Sequence, residues 1–184
     1  MPQASRSVVA EVALVWGGGA GIGRALALSL GARGVGVVVA GTDERALARV
    51  VGEVTCGGGK ARHVAGSRMD TATMSAAVEK AHDAFGDLTH VILVAPDRDE
   101  SIQLVAALPS ETARRPRALL IRLGATGSSV ANEAARETDG HGCVDELLDL
   151  RSDDPDGDRV VDLALFLLSA RPPAGASARR LLVA

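Results

Sequence analysis

Three short apolar runs, Val12 to Val15, Val35 to Ala40 and Val91 to Ala95, recur through the first half of the chain, and the stretches between them carry apolar residues on a helical period. A run apolar at every position, not every second one, suits a strand buried on both faces. That is the environment of a parallel sheet with helices on either side. The intervening stretches supply the helices. Ile22, Ala25, Leu26 and Leu30 line one face, and Leu47, Val50, Val51 and Val54 line the next, entered from an N-cap at Thr42 or Asp43. Met74, Val78, Ala81 and Phe85 line a third face, which ends at Gly86. A further strand is expected at Lys60 to Ala65, after the turn Gly57-Gly58-Gly59. Strand, helix, strand, helix in this order predicts an α/β fold with right-handed crossovers.

The second half is less regular. Ala118 to Leu123, Cys143 to Leu150 and Leu181 to Ala184 read as strands, and Val160 to Leu168 as a helix packed on the sheet. Ser101 to Leu108 reads as a short helix stopped by Pro109, and Ser128 to Thr138 as a weak one. The acidic stretch Asp153-Asp154-Pro155-Asp156-Gly157 reads as a turn whose acids favour the start of the late helix; its spacing does not fit a calcium loop. The expectation is one Rossmann-like domain over residues 1–184, a doubly wound parallel sheet of six or seven strands.

Charge and composition exclude several function classes. A formal net charge of −3 gives no electrostatic reason to bind nucleic acid or an anionic membrane. No apolar run reaches the ~20 residues of a membrane span, and Glu11 and the glycines that follow break the layout of a leader peptide, so a cytoplasmic location is expected. Cys56 and Cys143 make neither a disulfide framework nor a metal site, and His63, His82 and His90 are too scattered for a metal set.

The stretch that carries chemistry is VWGGGAGIGR, Val15 to Arg24, in which six of ten residues are Gly or Ala. A glycine-rich turn between a strand and a helix lets a pyrophosphate approach the backbone, and the helix start offers free N–H groups with a partial positive charge. Its place in a strand–turn–helix unit points to dinucleotide binding.

The stretch ALVWGGGAGIGRALALSLGARG resembles the opening of the short-chain dehydrogenase/reductase family, whose loop reads T-G-x-x-x-G-x-G. Gly17, Gly21 and Gly23 fall on its three glycines. FGDLTHVILVA is similar to that family's passage into its fourth strand, and DRVVDLALFLLS to its late helix. The resemblance implies cofactor contacts from Gly17, Gly19, Gly21, Ile22, Gly23 and Thr42. Gly41 stands where members that prefer NAD place an acid, which favours NADP(H) over NAD(H); Arg45 is read as a solvated helix residue. Trp16 replaces the family's Thr, Leu93-Val94-Ala95-Pro96 replaces its N-N-A-G, and Ser67 replaces an acid near the adenine.

The family's chemistry is hydride transfer assisted by a Tyr acid/base, a Lys four residues later and an orienting Ser. This chain has no tyrosine, and its only lysines are Lys60 and Lys80. The family usually runs longer, and the shortened region, between the fourth strand and the late helix, is the one that holds Tyr and Lys. Ser128, Ser129 and His141 are the remaining candidates, each weak: a serine is neither acid nor base at neutral pH, and His141 sits in a loop-like DGHGC. The reading is a degenerate member of the family, partnering an active relative in a homo- or hetero-oligomer, with the late helix and sheet edge as contact surfaces. The alternatives are an atypical enzyme on the same scaffold, either a reductase with another acid/base or a non-redox cyclase or dehydratase, and a nucleotide-sensing or purely structural domain that has lost its ligand, in which an indole pressed against the loop could fill part of the cofactor's space.

Overall fold

A strand with apolar side chains on both sides needs cover on both sides, and β1 (Val12–Trp16) has it: all five residues are buried. Ala13 and Val15 enter one core, while Val12, Leu14 and Trp16 enter the other, as the two-residue period of a strand requires. The computed structural model describes residues 11–66, 71–95, 117–123, 146–150, 157–169 and 179–183. After β1 come α1 (Gly21–Ala32), β2 (Gly36–Gly41), α2 (Glu44–Cys56), β3 (Lys60–Ala65), α3 (Thr71–Ala84) and β4 (His90–Ala95). Then follow β5 (Arg117–Leu123), β6 (Glu146–Leu150), α4 (Gly157–Ser169) and β7 (Arg179–Val183).

The seven strands form one parallel sheet in the order β3-β2-β1-β4-β5-β6-β7. On one face α1, α2 and α4 bury Leu26, Ala27, Leu30, Leu47, Val50, Val54, Ala164 and Leu165 against Val37, Val39, Ile92 and Ile121. On the other face α3 sets Met74, Ala77 and Ala81 over Leu14, Val38 and Leu93. This is the doubly wound, Rossmann-like arrangement expected from the sequence, with seven strands. From β1 the chain steps to β2 on one side and returns to β4 on the other, so a crevice opens beyond the carboxyl end of β1, the place where such sheets hold ligands.

The element boundaries move by a few residues, for identifiable reasons. β4 begins at His90 and β5 at Arg117, both read as outside the strands because they are polar. His90 is nonetheless only 7% exposed. Arg117 donates from Nη1 to the Leu168 carbonyl at 2.6 Å and from Nη2 to the Leu167 carbonyl at 2.8 Å. A guanidinium at a strand end can thus be buried where a helix terminus supplies acceptors. β6 starts at Glu146, not Cys143, and β7 starts two residues before Leu181. The helices read at Ser101 to Leu108 and Ser128 to Thr138, and the turn residues Asp153 to Asp156, lie outside the described residues.

The helices α1 and α2 meet where α1 carries no side chain. A Cβ placed on Gly31 would stand 2.5 Å from Val54 Cγ1, and one on Gly59 would stand 2.8 Å from the same atom. Gly31→Ala is therefore expected to destabilise the fold by about 1–3 kcal/mol through overpacking. Adding Val54→Ala should recover much of that loss, because the two changes share one space. Urea unfolding of the two single variants and the double variant measures this, the expected sign being a double variant more stable than the sum of the singles.

Candidate functional site

The turn leaving β1 is tied down before it reaches α1. Gly17 and Gly18 both donate their N–H groups to the Ala40 carbonyl at the end of β2, at 2.8 and 3.3 Å. Gly17 holds a φ of +78° and Gly21 one of +51°, values that cost a residue with a Cβ roughly 1–2 kcal/mol. Gly23 is set by contact: a Cβ there would lie 2.2 Å from the Gly17 carbonyl oxygen. The first turn of α1 thus lies directly against the loop, with no room for a methyl group. Gly18 was not among the expected cofactor contacts, yet a Cβ on it would meet Val39 at 2.9 Å. Its role is to let the loop pack on β2, and three consecutive glycines were the available signal.

What this packing presents is a set of backbone donors. Arg24 N–H donates to the Ala20 carbonyl at 3.1 Å, the first bond of the helix. The N–H groups of Gly21, Ile22 and Gly23 have no partner among the described residues. Ala20 at the N-cap brings no side-chain acceptor, and the first turn holds no acid. A helix start with neither cap nor carboxylate leaves its partial positive charge uncompensated. A Cβ placed on Gly21 would meet nothing within 4 Å, so there is space for an anion beside it. Arg24 does not supply a positive charge here, because its guanidinium pairs with Glu53 of α2 at 2.8 Å.

At the end of β2, Gly41 is half-buried and Thr42 is exposed. A Cβ on Gly41 would meet only Leu47 Cδ2, at 3.7 Å, so a side chain fits there. Asp43 is the N-cap of α2, its carboxylate accepting from Ala46 N–H at 3.0 Å, which settles the choice between Thr42 and Asp43. Arg45 is exposed on the first turn of α2.

Trp16 is 2% exposed, and its side chain belongs to the core under α3, on the opposite face of the sheet from α1. The indole is therefore packed on the face of the sheet opposite α1, which weighs against the alternative in which it takes part of the cofactor's space. Val94 stands behind the loop, its carbonyl 2.9 Å from a Cβ on Gly17. Ser67, Ser128, Ser129 and His141 lie outside the described residues, so Gly17, Gly19, Gly21, Ile22, Gly23 and Thr42 are the expected site residues that the structure brings to one end of the sheet. An open groove of about 540 Å³ runs along β3, lined in part by His63, Glu79, Lys80 and Asp83. Among the described residues no three His, Cys, Asp or Glu side chains are placed to hold a metal ion, and no helix is long and apolar enough to cross a membrane.

Comparison with known proteins decides the lineage of this loop and sheet. Residues 11–108, just over half of the 184 residues, match the short chain dehydrogenase family. The chain belongs to that family. A cyclohexanol dehydrogenase from an Acinetobacter species is 42% identical over 78 residues, which cover 42% of this chain and 31% of that enzyme. The matched stretch thus spans about a third of that curated relative's length. Among solved structures, a short-chain dehydrogenase/reductase from Serratia marcescens superposes with a TM-score of 0.72 at 18% identity, covering 96% of this chain and 97% of the other. A metagenomic short-chain oxidoreductase in complex with NADP superposes with a TM-score of 0.66 at 20% identity, covering 95% and 98%. Both share the fold.

The geometry separates two of the three family glycines. Gly23→Ala is expected to remove the loop's native conformation, lowering stability by about 1–3 kcal/mol, since the nearest obstacle is backbone. Gly21→Ala meets no atom and should cost only the strain of its positive φ, about 1–2 kcal/mol. Thermal unfolding ranks them, and equal losses at both positions would contradict the contact at Gly23.

Proposed function

We propose that this chain is a dinucleotide-holding, catalytically degenerate short-chain dehydrogenase domain extending over residues 1–184. In this reading it acts as a non-catalytic subunit, in a homo- or hetero-oligomer with an active relative. The observation that carries the first part is the uncapped start of α1, packed by Gly23 against the loop, with three N–H groups that have no partner among the described residues. Those donors suit a pyrophosphate. In this proposal Gly17, Gly19, Gly21, Ile22 and Gly23 hold the diphosphate, and Thr42 faces the ribose. The space at Gly41, where no acid repels a 2′-phosphate, supports NADP(H) over NAD(H).

The second part rests on what hydride transfer needs. A proton must move to or from the carbinol oxygen, through a group that ionises near working pH. The chain has no tyrosine. Lys60 lies on β3 and Lys80 on α3, both exposed at the β3 side of the sheet, away from β4 and β5. When bound, the nicotinamide would supply the hydride chemistry; none of these residues supplies the proton step. The competing reading is an oxidoreductase that uses Ser128, Ser129 or His141 instead, and the identity to a cyclohexanol dehydrogenase favours it.

The only tryptophan, Trp16, immediately precedes the loop, and no tyrosine emission overlaps it. Titration with NADPH is expected to quench it saturably, with energy transfer to the nicotinamide and weaker binding of NADH. The absence of transfer at millimolar cofactor would refute dinucleotide binding. Gly41→Asp should shift the preference toward NADH by about tenfold, through repulsion of the 2′-phosphate. With cyclohexanol or cyclohexanone no turnover is expected. Turnover abolished by His141→Asn or by the Ser128→Ala, Ser129→Ala pair would establish the competing reading instead. A strict monomer that co-purifies with no partner would contradict the subunit role.

A further inference from the structure

The sheet ends at β3, which among the described strands pairs only with β2. Across that pair the Gly66 N–H donates to the Gly41 carbonyl at 3.0 Å. In a parallel ladder alternate residues bond to the same neighbour. Lys60, Arg62 and Val64 therefore turn their backbone groups to β2, and Ala61, His63 and Ala65 turn theirs to the open edge. The outward groups of His63 and Ala65 have no partner among the described residues. The Ala61 carbonyl accepts from Arg62 Nη1 at 2.9 Å, which leaves its second lone pair open.

The charges beside this edge are divided along its length. Val64 packs on the α3-side core, so by the two-residue period Lys60 and Arg62 lie on that side as well. Both are exposed cations on the first half of the strand, with Arg62 5.9 Å from the centre of the Phe85 ring. The groove over the second half is flanked by Glu79, Lys80 and Asp83 of α3 and by Glu44 of α2. None of these carboxylates forms an ion pair among the described residues. Charged residues on an edge strand ordinarily keep other strands away. Here the repulsion has a direction, because cations at one end accompany carboxylates at the other.

We propose that a second copy of this chain adds to the β3 edge, antiparallel and centred on His63. An antiparallel pair exchanges two hydrogen bonds at every second residue. The outward positions supply them: Ala61 with Ala65 of the other copy, His63 with His63, and Ala65 with Ala61. Directly opposed side chains share a face, so Arg62 stands opposite the other copy's Val64 and Lys60 opposite its Gly66. Both cations then enter the groove beside Glu79 and Asp83 of the other copy, and the two-fold axis repeats the match. A parallel pairing would set cations against cations and carboxylates against carboxylates. The two seven-stranded sheets thereby join as one. This contact uses the edge opposite β7 and α4 and needs no bound dinucleotide. It narrows the oligomer of the proposed function to a pairing of identical copies.

The test is the mass of the intact chain by sedimentation velocity over a range of concentrations, with hydrogen exchange of the β3 amides. A concentration-dependent dimer is expected, in which the Ala61, His63 and Ala65 amides are protected and lose that protection on dilution. His63→Pro removes a donor that β2 does not use, so this variant should keep the fold and sediment as a monomer. Lys60→Glu with Arg62→Glu makes the edge acidic along its whole length, and Glu79→Lys with Asp83→Lys makes it basic. Each double variant alone should dimerise at least about tenfold more weakly than the wild type, and their equimolar mixture should dimerise again. A wild type that stays monomeric, or a dimer that persists in His63→Pro, would overturn the β3 contact. The second of these outcomes leaves the subunit role standing through another surface. A monomer whose β3 amides become protected only with a synthetic peptide of alternating arginine and valine would assign the edge to a foreign strand instead. Should His63→Pro not fold, the two charge variants and their mixture still decide the question.

Discussion

The contact between Gly23 and the Gly17 carbonyl fixes how α1 leaves the sheet. With a Cβ position only 2.2 Å from that oxygen, the helix begins as close to the loop as two backbones allow. The three N–H groups at that helix start have no partner among the described residues. The closeness also sets the line along which α1 lies over Val15 and Val39 and against α2 and α4. One glycine thus joins the core to the crevice, and the rest of that face is arranged around it.

In the first half of the chain the fold was readable because burial there is simple. β1, β2 and β4 are covered on both faces, so their residues are apolar without a break, and three helical stripes separate the strands. The starts of β4 and β5 each moved to take in one polar residue, His90 and Arg117. Arg117 enters β5 because α4 offers it the Leu167 and Leu168 carbonyls, and no local pattern carries that information. Within the site, the glycine positions were legible from their type and spacing. The division of labour among them was not, since Gly18 packs on Val39 while Gly21 is open, and only geometry separates the two. The orientation of Trp16 was equally hidden: an odd or even place in a short strand decides which core it enters.

The chain combines a glycine loop that offers backbone donors with a sequence that contains no tyrosine. The loop is a backbone device, and two of its glycines, Gly18 and Gly23, are also required by packing. Acid/base chemistry, by contrast, is a side-chain device. In the proposed reading the chain has lost its proton-transfer groups and kept its architecture.

The carbonyl of Ala40 adds one more property. By accepting from both Gly17 and Gly18 it splices the end of β2 onto the turn after β1. The residues that would read the sugar, at Gly41 and Thr42, follow that carbonyl directly in the chain. Any shift of backbone that accommodates a different sugar substituent is then transmitted to the phosphate-facing turn. Selectivity and grip in such a site behave as a single mechanical variable, and sequence drift at one end should leave its trace at the other.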